Sequence, residues 1–571
     1  MKIFKLFPLA CAALMMSACS SDDAGNEGGN PGAAGDPQYL AVNIVNVGTT
    51  PTRAGEYENG TTEENTITKV RFYFFNGDGS PYIIKNPGGG VSGGDPKNWL
   101  EASPTDDTTT PGSSNVEKIT QTVLVINGEQ NVAPSAIVAV VNPETVDATT
   151  LKNGGTMRLS ELRNTAVGQN FYKKDASTGA VSEFVMSNSV YVNTGEDVCA
   201  SLVAGHVATS AEDATKKPVE LYVERVVAKV TANVDETAFK LGDGTDWEAT
   251  KYGTKTAVGK IGDNEVYAVI DGWGLASENG KAEIEKKVDK TWSDGNLGFS
   301  PWTTSDYHRC FWEQSVAFDA GIGGNQPVNH KYSDLKAKMN EVLYTLPNTP
   351  ANKVTDLQNN DLTKLAVAAT LKYKDADGNW QNADICRYNG VQFLGVDNLK
   401  KQVALTFSQY YTSTDATTYT QLSASDIDFK DPDGTMQQYR VTPTLAADPD
   451  GTKKYYTKTT TGGTPTFTEV QKSTVLAAIE AAKAEIRKGG RAYYYVPIKH
   501  LGNPGEVAEY GIVRNHFYKI TLSGIKGFGT PVYNPDQVVK PVVPTYDDTY
   551  LAARVQVLQW RVVNQNANLG E

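Results

Sequence analysis

Histidines, cysteines and acidic residues are the side chains of this 571-residue chain that could bind a metal or act in catalysis. The five histidines show no H-E-x-x-H or similar metal-ligand spacing. There is no G-x-S-x-G nucleophile elbow. The glycines at 253 and 259 suggest a P-loop, but one residue too many separates them, and Ile261 stands where Ser or Thr would bind Mg²⁺. The sequence therefore predicts no catalytic residue, no metal and no cofactor.

Four turns rich in Asp and Gly offer carboxylates at a spacing that could suit Ca²⁺. They lie at residues 76–79, 375–378, 431–434 and 448–451. A calcium loop of EF-hand type needs a glutamate at its twelfth position. The three turns that begin with Asp have other residues there, namely Cys386, Thr442 and Thr459. These segments are therefore predicted to be hairpin turns rather than cation sites.

Aromatic side chains could instead bind a sugar. His308, Phe311 and Trp312 are close enough in the sequence to line a sugar platform, although aromatic residues of β-sandwich domains mostly fill cores. The acid pair that glycoside hydrolysis needs cannot be selected among 66 acidic residues. A surface glycan-binding lipoprotein stays as an alternative function, whereas no motif supports a hydrolase.

The beginning of the chain has the features of a secretory signal. Lys2 and Lys5 precede an apolar run over residues 6–16, which is too short to cross a bilayer core about 30 Å thick as a helix. The string at 16–19, Met-Ser-Ala-Cys, resembles a bacterial lipobox. We expect removal of residues 1–18 and lipidation of Cys19, which makes the precursor an outer-membrane lipoprotein.

Overall composition excludes further classes of function. The chain has 53 basic and 66 acidic residues and a net charge of −13, so it should repel nucleic acid and anionic membrane surfaces. No later segment is apolar over about 18 residues, so no transmembrane helix is predicted. Cys199, Cys310 and Cys386 remain in the mature chain and are expected to be buried free thiols.

Strand patterns dominate the rest of the sequence. In Gln38–Val47, Leu40, Val42 and Ile44 alternate on one face. Other strand runs lie at 67–75, 136–141 and 219–234, and two helices are predicted at 334–345 and 473–488. The prediction is a mainly β fold of two tandem antiparallel β-sandwich domains of transthyretin-like Greek-key type, with a few short helices. The predicted segments are a tether with the first strand at 19–53, the domains at 54–235 and 236–535, and a Pro-rich spacer with a terminal strand at 536–571.

The terminal run at 550–563 changes phase along its length. Val555 and Val557 share one phase, whereas Leu558, Trp560 and Val562 share the other. This pattern predicts either a bulge that shifts the register or a strand that is covered on both faces.

Several strings in order, together with the lipobox, resemble the Bacteroidales-type fimbrillins, and most closely their Mfa-type major shaft subunits. The strings lie at residues 52–55, 138–142, 223–230, 514–520 and 555–560. The resemblance covers nearly the whole chain, although few strings fall within residues 236–480.

The resemblance implies a structural, non-enzymatic subunit that supports adhesion and biofilm formation. It implies that an arginine-specific protease cuts the lipidated precursor between Arg53 and Ala54, which removes the strand that carries Leu40, Val42 and Ile44. A strand of another copy then fills the groove, and the subunits form an extracellular fimbria with accessory subunits as further partners. The donor strand would be the terminal run, with Val555, Val557, Leu558, Trp560 and Val562. Such a free donor run favours a shaft subunit over an anchor or tip subunit.

The residues give this mechanism a physical basis. Loss of three buried apolar side chains and about six ladder bonds costs on the order of 10 kcal/mol before ordering costs. A deficit of this size favours the addition of a strand from a partner. Because a head-to-tail contact does not close, repeated addition gives a filament.

Overall fold

The computed structural model describes residues 38–47, 60–84, 96–106, 116–126, 132–146, 151, 155–168, 170–299, 302–305, 308–319, 324–357, 361–432, 439–540, 550–559 and 564–566. Strands dominate these ranges and the helices are few and short, which confirms the predicted mainly β fold. None of the helices in these ranges has the length and apolar character that a membrane crossing requires.

Most of the N-terminal part is one sheet of ten strands. The strands of this part are β1 Gln38–Val47, β2 Val70–Phe75, β3 Trp99–Ala102, β4 Thr105–Asp106, β5 Val116–Ile126, β6 Ala136–Val141, β7 Ala166–Val167, β8 Lys173–Lys174, β9 Val181–Ser182, β10 Met186–Asn188, β11 Tyr191–Asn193, β12 Glu196–Val198, β13 Ser201–Leu202, β14 Val207–Ala208 and β15 Val219–Arg225. Its helices are α1 Leu159–Arg163, α2 Ala211–Thr215 and a 3-10 turn at Pro143–Thr145. The large sheet has the order β3-β2-β6-β10-β15-β1-β5-β4, with β13 added to β6 and β14 added to β1. Because β3 also contacts β5, the sheet folds back over a core that contains Phe72, Val138 and Leu221.

The second part begins directly after β15. Its first elements are β16 Ala228–Val234, β17 Phe239–Leu241, β18 Tyr252–Thr254, β19 Gly259–Ile261, β20 Asn264–Ala276, β21 Ala282–Glu283, α3 Asp294–Leu297, β22 Thr303–Thr304, β23 Arg309–Cys310, a 3-10 turn Tyr332–Asp334, β24 Val342–Thr345, β25 Lys364–Lys374 and β26 Trp380–Asn382. The run at 219–234 is thus two strands in two different sheets, and the chain crosses between the sheets at Val226 and Val227.

An inserted unit follows β26, and it holds the two longest helices of the described ranges. Its elements are β27 Ile385–Tyr388, β28 Val391–Leu394, α4 Val396–Thr406, β29 Tyr410–Ser413, β30 Thr420–Gln421, a 3-10 turn Ala424–Asp426, β31 Ile427–Lys430, β32 Arg440–Leu445, β33 Lys454–Thr461, β34 Thr464–Val470, α5 Lys472–Glu480 and β35 Ala484–Arg487. Leu399 of α4 and Val475 of α5 pack into the core of this unit. The sequence did not predict the unit as a separate body.

The last elements return to the second part. They are a 3-10 turn Lys488–Gly490, β36 Arg491–Pro497, a 3-10 turn Val507–Glu509, β37 His516–Lys526, β38 Thr530–Pro531, β39 Tyr550–Gln559 and β40 Asn564–Asn566. One sheet has the order β24-β16-β37-β39-β40, and the other has the order β17-β18-β20-β25-β36-β38. Val230 and Ile520 of the first sheet share a core with Val367 and Tyr494 of the second, so these two sheets form a sandwich.

Both helix predictions need correction. Apart from Asp334, which ends a 3-10 turn, residues 334–345 are not helical, since Asn340 has a φ of 69° and β24 pairs with β16. In the second case, α5 ends at Glu480 and the residues after it form β35, which pairs with β27. In both places, pairing with a distant strand overrides the local helical pattern.

Buried polar contacts join the N-terminal sheet to the sandwich. The guanidinium of Arg225 is 1% exposed and donates to the Glu64 carbonyl at 3.0 Å and to Asn515 Oδ1 at 3.1 Å. Lys229 Nζ lies 2.8 Å from Glu64 Oε1, and the Tyr344 hydroxyl donates to the same carboxylate. Burial alone would raise the pKa of Glu64, but the charge of Lys229 and its hydrogen bond lower that pKa below its ordinary value.

A second buried group reinforces this junction. Lys286 Nζ lies 2.9 Å from Glu224 Oε1, and Arg514 Nε lies 2.9 Å from Glu313 Oε2. Arg514 also donates to the backbone carbonyl of Ile284 at 2.8 Å. Removing one partner of such a pair would leave an uncompensated buried charge, so these contacts fix how the two parts join.

Glu285, in the same segment, is a buried acid without comparable compensation. Neither of its carboxylate oxygens has a hydrogen bond, and Arg163 Nε lies 3.9 Å away. Burial raises the pKa of the Glu285 carboxyl from 4.5 to about 8. Because a raised pKa favours the protonated form, the fold loses stability as the pH rises from 4.5 towards 8.

We predict that Glu285→Gln stabilises the uncut protein in a pH-dependent manner, since it removes the buried ionisation. The gain in the free energy of unfolding should reach about 2–4 kcal/mol at pH 8 and be close to zero near pH 4.5. Urea unfolding at both pH values measures this difference. Glu236→Gln, at an exposed position, is the matched control. A gain that does not depend on pH, or a loss at pH 8, would contradict the prediction.

Candidate functional site

The strand β1 lies in the middle of the N-terminal sheet. Along one edge it pairs antiparallel with β5, from Gln38 opposite Ile126 to Asn46 opposite Lys118. Along the other edge it pairs parallel with β15, from Val42 to Asn46, and its beginning pairs antiparallel with β14. A strand from the beginning of the described chain is therefore hydrogen-bonded on both sides.

The apolar face of β1 lies in the core. Leu40, Val42 and Ile44 are all 0% exposed and belong to the same core as Leu124 of β5 and Leu221 of β15. This burial has a simple origin, since alternate residues of a strand point to the same face and three consecutive members of this set are large and apolar. The sequence predicted that these three residues lie on one face of a strand, and the family resemblance implied that this strand is removed by cleavage.

The opposite face of β1 is also partly covered. Ala41 is 0% exposed, and the short helix α2 contacts the strand. The small side chain of Ala41 suits a position that is covered closely. The bed of β1 therefore consists of the core below the strand, the edges of β5 and β15 beside it and α2 near its other face.

Excision of β1 would have a large local effect. Among the described residues, β5 pairs only with β1 and β4, so it would lose its connection to the rest of the sheet. Backbone groups of β5 and β15 would lose their partners, and the core would lose three large side chains. Unpaired backbone groups and bared apolar surface both favour the addition of a new strand.

The predicted processing positions lie outside the described residues. These are the lipidation residue Cys19 and the cleavage residues Arg53 and Ala54. The described chain leaves β1 at Val47 and resumes at Gly60, so a cut after residue 53 would separate all of β1 from the rest of the chain. Only non-covalent contacts would then hold β1 in its bed.

The predicted donor run begins as the last long strand of its own sandwich. Over its whole length β39 pairs antiparallel with β37, with Val555 opposite Ile520, Val557 opposite Tyr518 and Leu558 opposite Phe517. The side chains of Leu551 and Ala553 are buried in the sandwich core. The register shifts between Leu522 and Gly524, so the irregularity lies on β37. Trp560 and Val562, at the end of the predicted donor run, lie outside the described residues.

The short strand β40 covers part of the outer edge of β39. Residues 554–556 pair with residues 564–566, so that Gln556 lies opposite Asn564. β40 pairs only with residues 554–556, so among the described residues the rest of the outer edge of β39 has no neighbouring strand. Edge strands are the elements that can leave a sheet or receive a partner at the lowest cost.

The described residues give no support to the sugar platform or the cation sites that the sequence raised. Phe311 and Trp312 are 1% and 3% exposed and fill the sandwich core, as the sequence favoured, so they do not line the sugar platform that was considered as an alternative. In the described ranges, no group of three or more His, Cys, Asp or Glu residues could hold a metal ion. Asp78 and Asp375 accept backbone hydrogen bonds from nearby residues of their own loops, as expected for hairpin turns. Asp448 accepts a similar bond, but its loop joins β32 and β33, which pair with other strands, so the hairpin prediction is wrong there.

Comparison with known families links the C-terminal part of the chain to fimbrial proteins. Residues 487–566 match the family described as major fimbrial subunit protein type IV, fimbrillin, C-terminal. This range includes β37, β39 and β40, and the match confirms the resemblance to fimbrillins. The search of curated proteins found no match.

Several solved structures of adhesion and fimbrial proteins show partial similarity to this chain. A putative cell adhesion protein from Parabacteroides distasonis has 12% identity and a TM-score of 0.37, with 94% of this chain and 99% of that chain covered. A fimbrilin from Porphyromonas gingivalis has 14% identity and a TM-score of 0.32, with 92% and 99% covered. The tip fimbrial protein Mfa3 from Porphyromonas gingivalis has 9% identity and a TM-score of 0.28, with 92% and 100% covered.

We predict that Leu40→Ala destabilises the uncut protein strongly, because it leaves a cavity beneath a central strand. The expected loss in the free energy of unfolding is about 2–5 kcal/mol. Leu202→Ala is the matched control, since Leu202 is 53% exposed and lies in the same sheet. The control should change the free energy of unfolding by no more than about 0.5 kcal/mol. Equal losses in urea unfolding of the two variants would show that β1 is not an anchor of this core.

Proposed function

We propose that this protein is a structural, non-enzymatic subunit of a cell-surface fimbria that polymerises by protease-triggered strand exchange and supports adhesion and biofilm formation. One observation carries the proposal: β1, which precedes the proposed cut, is paired on both edges and fills the core with Leu40, Val42 and Ile44. The match of residues 487–566 to the fimbrillin C-terminal family supports it.

The lipid anchor and the proteolytic cut set the order of the assembly steps. Cys19 anchors the precursor to the outer membrane, where β1 completes the fold of each single copy. Cleavage between Arg53 and Ala54 by an arginine-specific protease separates the lipidated segment from the body. The body can then leave the membrane surface and enter the extracellular fimbria.

Strand exchange replaces an internal element with the same kind of element from another copy. Once β1 is no longer covalently attached, the bed between β5 and β15 is open to a competing strand. The terminal run of a second copy, with Val555, Val557, Leu558, Trp560 and Val562, supplies apolar side chains at strand spacing. Each copy donates one strand and accepts another, so the contact is heterologous and extends into a filament.

The terminal run favours a shaft subunit over an anchor or tip subunit, because a shaft subunit must both donate and accept. The partners are other copies of this chain, accessory fimbrial subunits and the protease. The alternative of a glycan-binding lipoprotein lost its main support, since Phe311 and Trp312 are buried.

We predict that Arg53→Ala prevents polymerisation, because β1 then stays covalently attached and keeps its bed occupied. The wild-type precursor, treated with an arginine-specific protease, should give a ladder of multimers on an unboiled gel, whereas the variant should stay a single band. Both proteins should have the same melting temperature before treatment, which shows that the variant folds.

The control variant is Arg158→Lys, which removes an exposed arginine of the folded body and leaves Arg53 in place. It should give the same ladder as the wild type. A ladder from Arg53→Ala would refute the role of Arg53. A wild-type chain that is fully cut at this position and stays monomeric at high concentration would refute strand exchange.

A further inference from the structure

A ten-residue segment near the C-terminus follows the residue pattern of β1. Residues 556–565 have the sequence QVLQWRVVNQ, and β1 has the sequence QYLAVNIVNV. Aligned without a gap, the two segments are identical at four positions. The identical pairs are Gln38 with Gln556, Leu40 with Leu558, Val45 with Val563 and Asn46 with Asn564.

The alignment also reproduces the two faces of β1. The core positions Leu40, Val42 and Ile44 correspond to Leu558, Trp560 and Val562, which are all apolar. On the other face, Ala41 and Asn43 correspond to Gln559 and Arg561, which are polar. A shift by one residue would bring Gln559 and Arg561 to core positions, so the period of two in a strand excludes it.

A second register would also place apolar residues in the core. It would put Val555 and Val557 at the positions of Val42 and Ile44. That phase is shared with Leu551 and Ala553, which are buried in the core of their own sandwich. In this register, the donor strand would have to turn towards the neighbouring copy the face that already packs in the core of its own domain.

We propose, on the basis of the proposed function, that residues 556–565 of one copy replace β1 of the next copy in the same direction and residue for residue. Leu558, Trp560 and Val562 then occupy the positions of Leu40, Val42 and Ile44. The first half of β39 stays paired with β37, where Leu551 and Ala553 hold it in its own core. The terminal run thus divides into a half that anchors and a half that is donated.

The pairing in the free subunit fits this division. In the folded chain, Gln556 pairs with Asn564, so the two ends of the donated segment are held together in the hairpin of β39 and β40. Donation exchanges this short pairing, and that of residues 556–559 with β37, for pairing along both edges of a central bed. Because the pairs along β1 outnumber the pairs that are lost, the net change in backbone pairing favours the exchanged state.

Disulfide trapping tests the register. In the free chain, Asn43 of β1 lies opposite Gln121 of β5. The proposed register therefore brings Arg561 of the donor opposite Gln121 of the acceptor. Facing residues of antiparallel strands have Cα atoms about 4.5–5.5 Å apart, which suits a disulfide. Cys199, Cys310 and Cys386 are buried and should not compete.

The expected result is a covalent ladder on a boiled, non-reducing gel after protease treatment and mild oxidation of the Gln121→Cys/Arg561→Cys variant. The matched variant Gln121→Cys/Gln556→Cys reports the second register and should give no covalent ladder. A ladder from the Gln556 variant, or unboiled multimers without any covalent link in the Arg561 variant, would overturn the register alone. Failure of the unmodified chain to form multimers would instead overturn the proposed function and the register with it.

Side-chain truncation gives a second test that does not need a new bond. Trp560→Ala should lower the temperature at which multimers dissociate on unboiled gels, because Trp560 enters the acceptor core. Val557→Ala, in the other phase, should leave this temperature within a few degrees of the wild-type value. The opposite ranking of the two variants would overturn the proposed register.

Discussion

The N-terminal sheet depends on one buried strand that is hydrogen-bonded along both edges. β1 connects β5 and β4 to the rest of the sheet, and its three large side chains fill the core beneath it. Only another strand can satisfy both edges of such a bed, because its backbone donors and acceptors alternate at strand spacing. This requirement is why we propose a strand from a second copy as the replacement for β1 and a filament as the product.

Much of this site could be predicted from local sequence. The alternation of Leu40, Val42 and Ile44 predicted a strand with the bounds that the structure shows, and it predicted which residues are buried. The partners of β1 could not be predicted, because β5 and β15 are far away in the sequence and no local pattern specifies which edges meet. The parallel pairing with β15 was missed for this reason.

The remaining differences between the prediction and the structure also arise from contacts between residues that are far apart in the sequence. Residues 219–234 form a continuous apolar run, but β15 and β16 belong to different sheets because the chain crosses between the two parts at Val226 and Val227. The buried charges at this crossing were not predicted, since each is compensated by a residue remote in sequence. Two strings that carry the fimbrillin resemblance, at 223–230 and 514–520, supply Glu224, Arg225, Lys229, Arg514 and Asn515 to the junction.

The most direct measurement of the central claim is hydrogen–deuterium exchange with mass spectrometry on the precursor and on purified polymer. In the polymer, no peptide from Gln38–Val47 should be present, yet the amides of β5 should be as protected as in the precursor. This combination requires that another strand occupies the bed of β1. A polymer that retains residues 38–47, or one in which the amides of β5 exchange freely, would contradict the account.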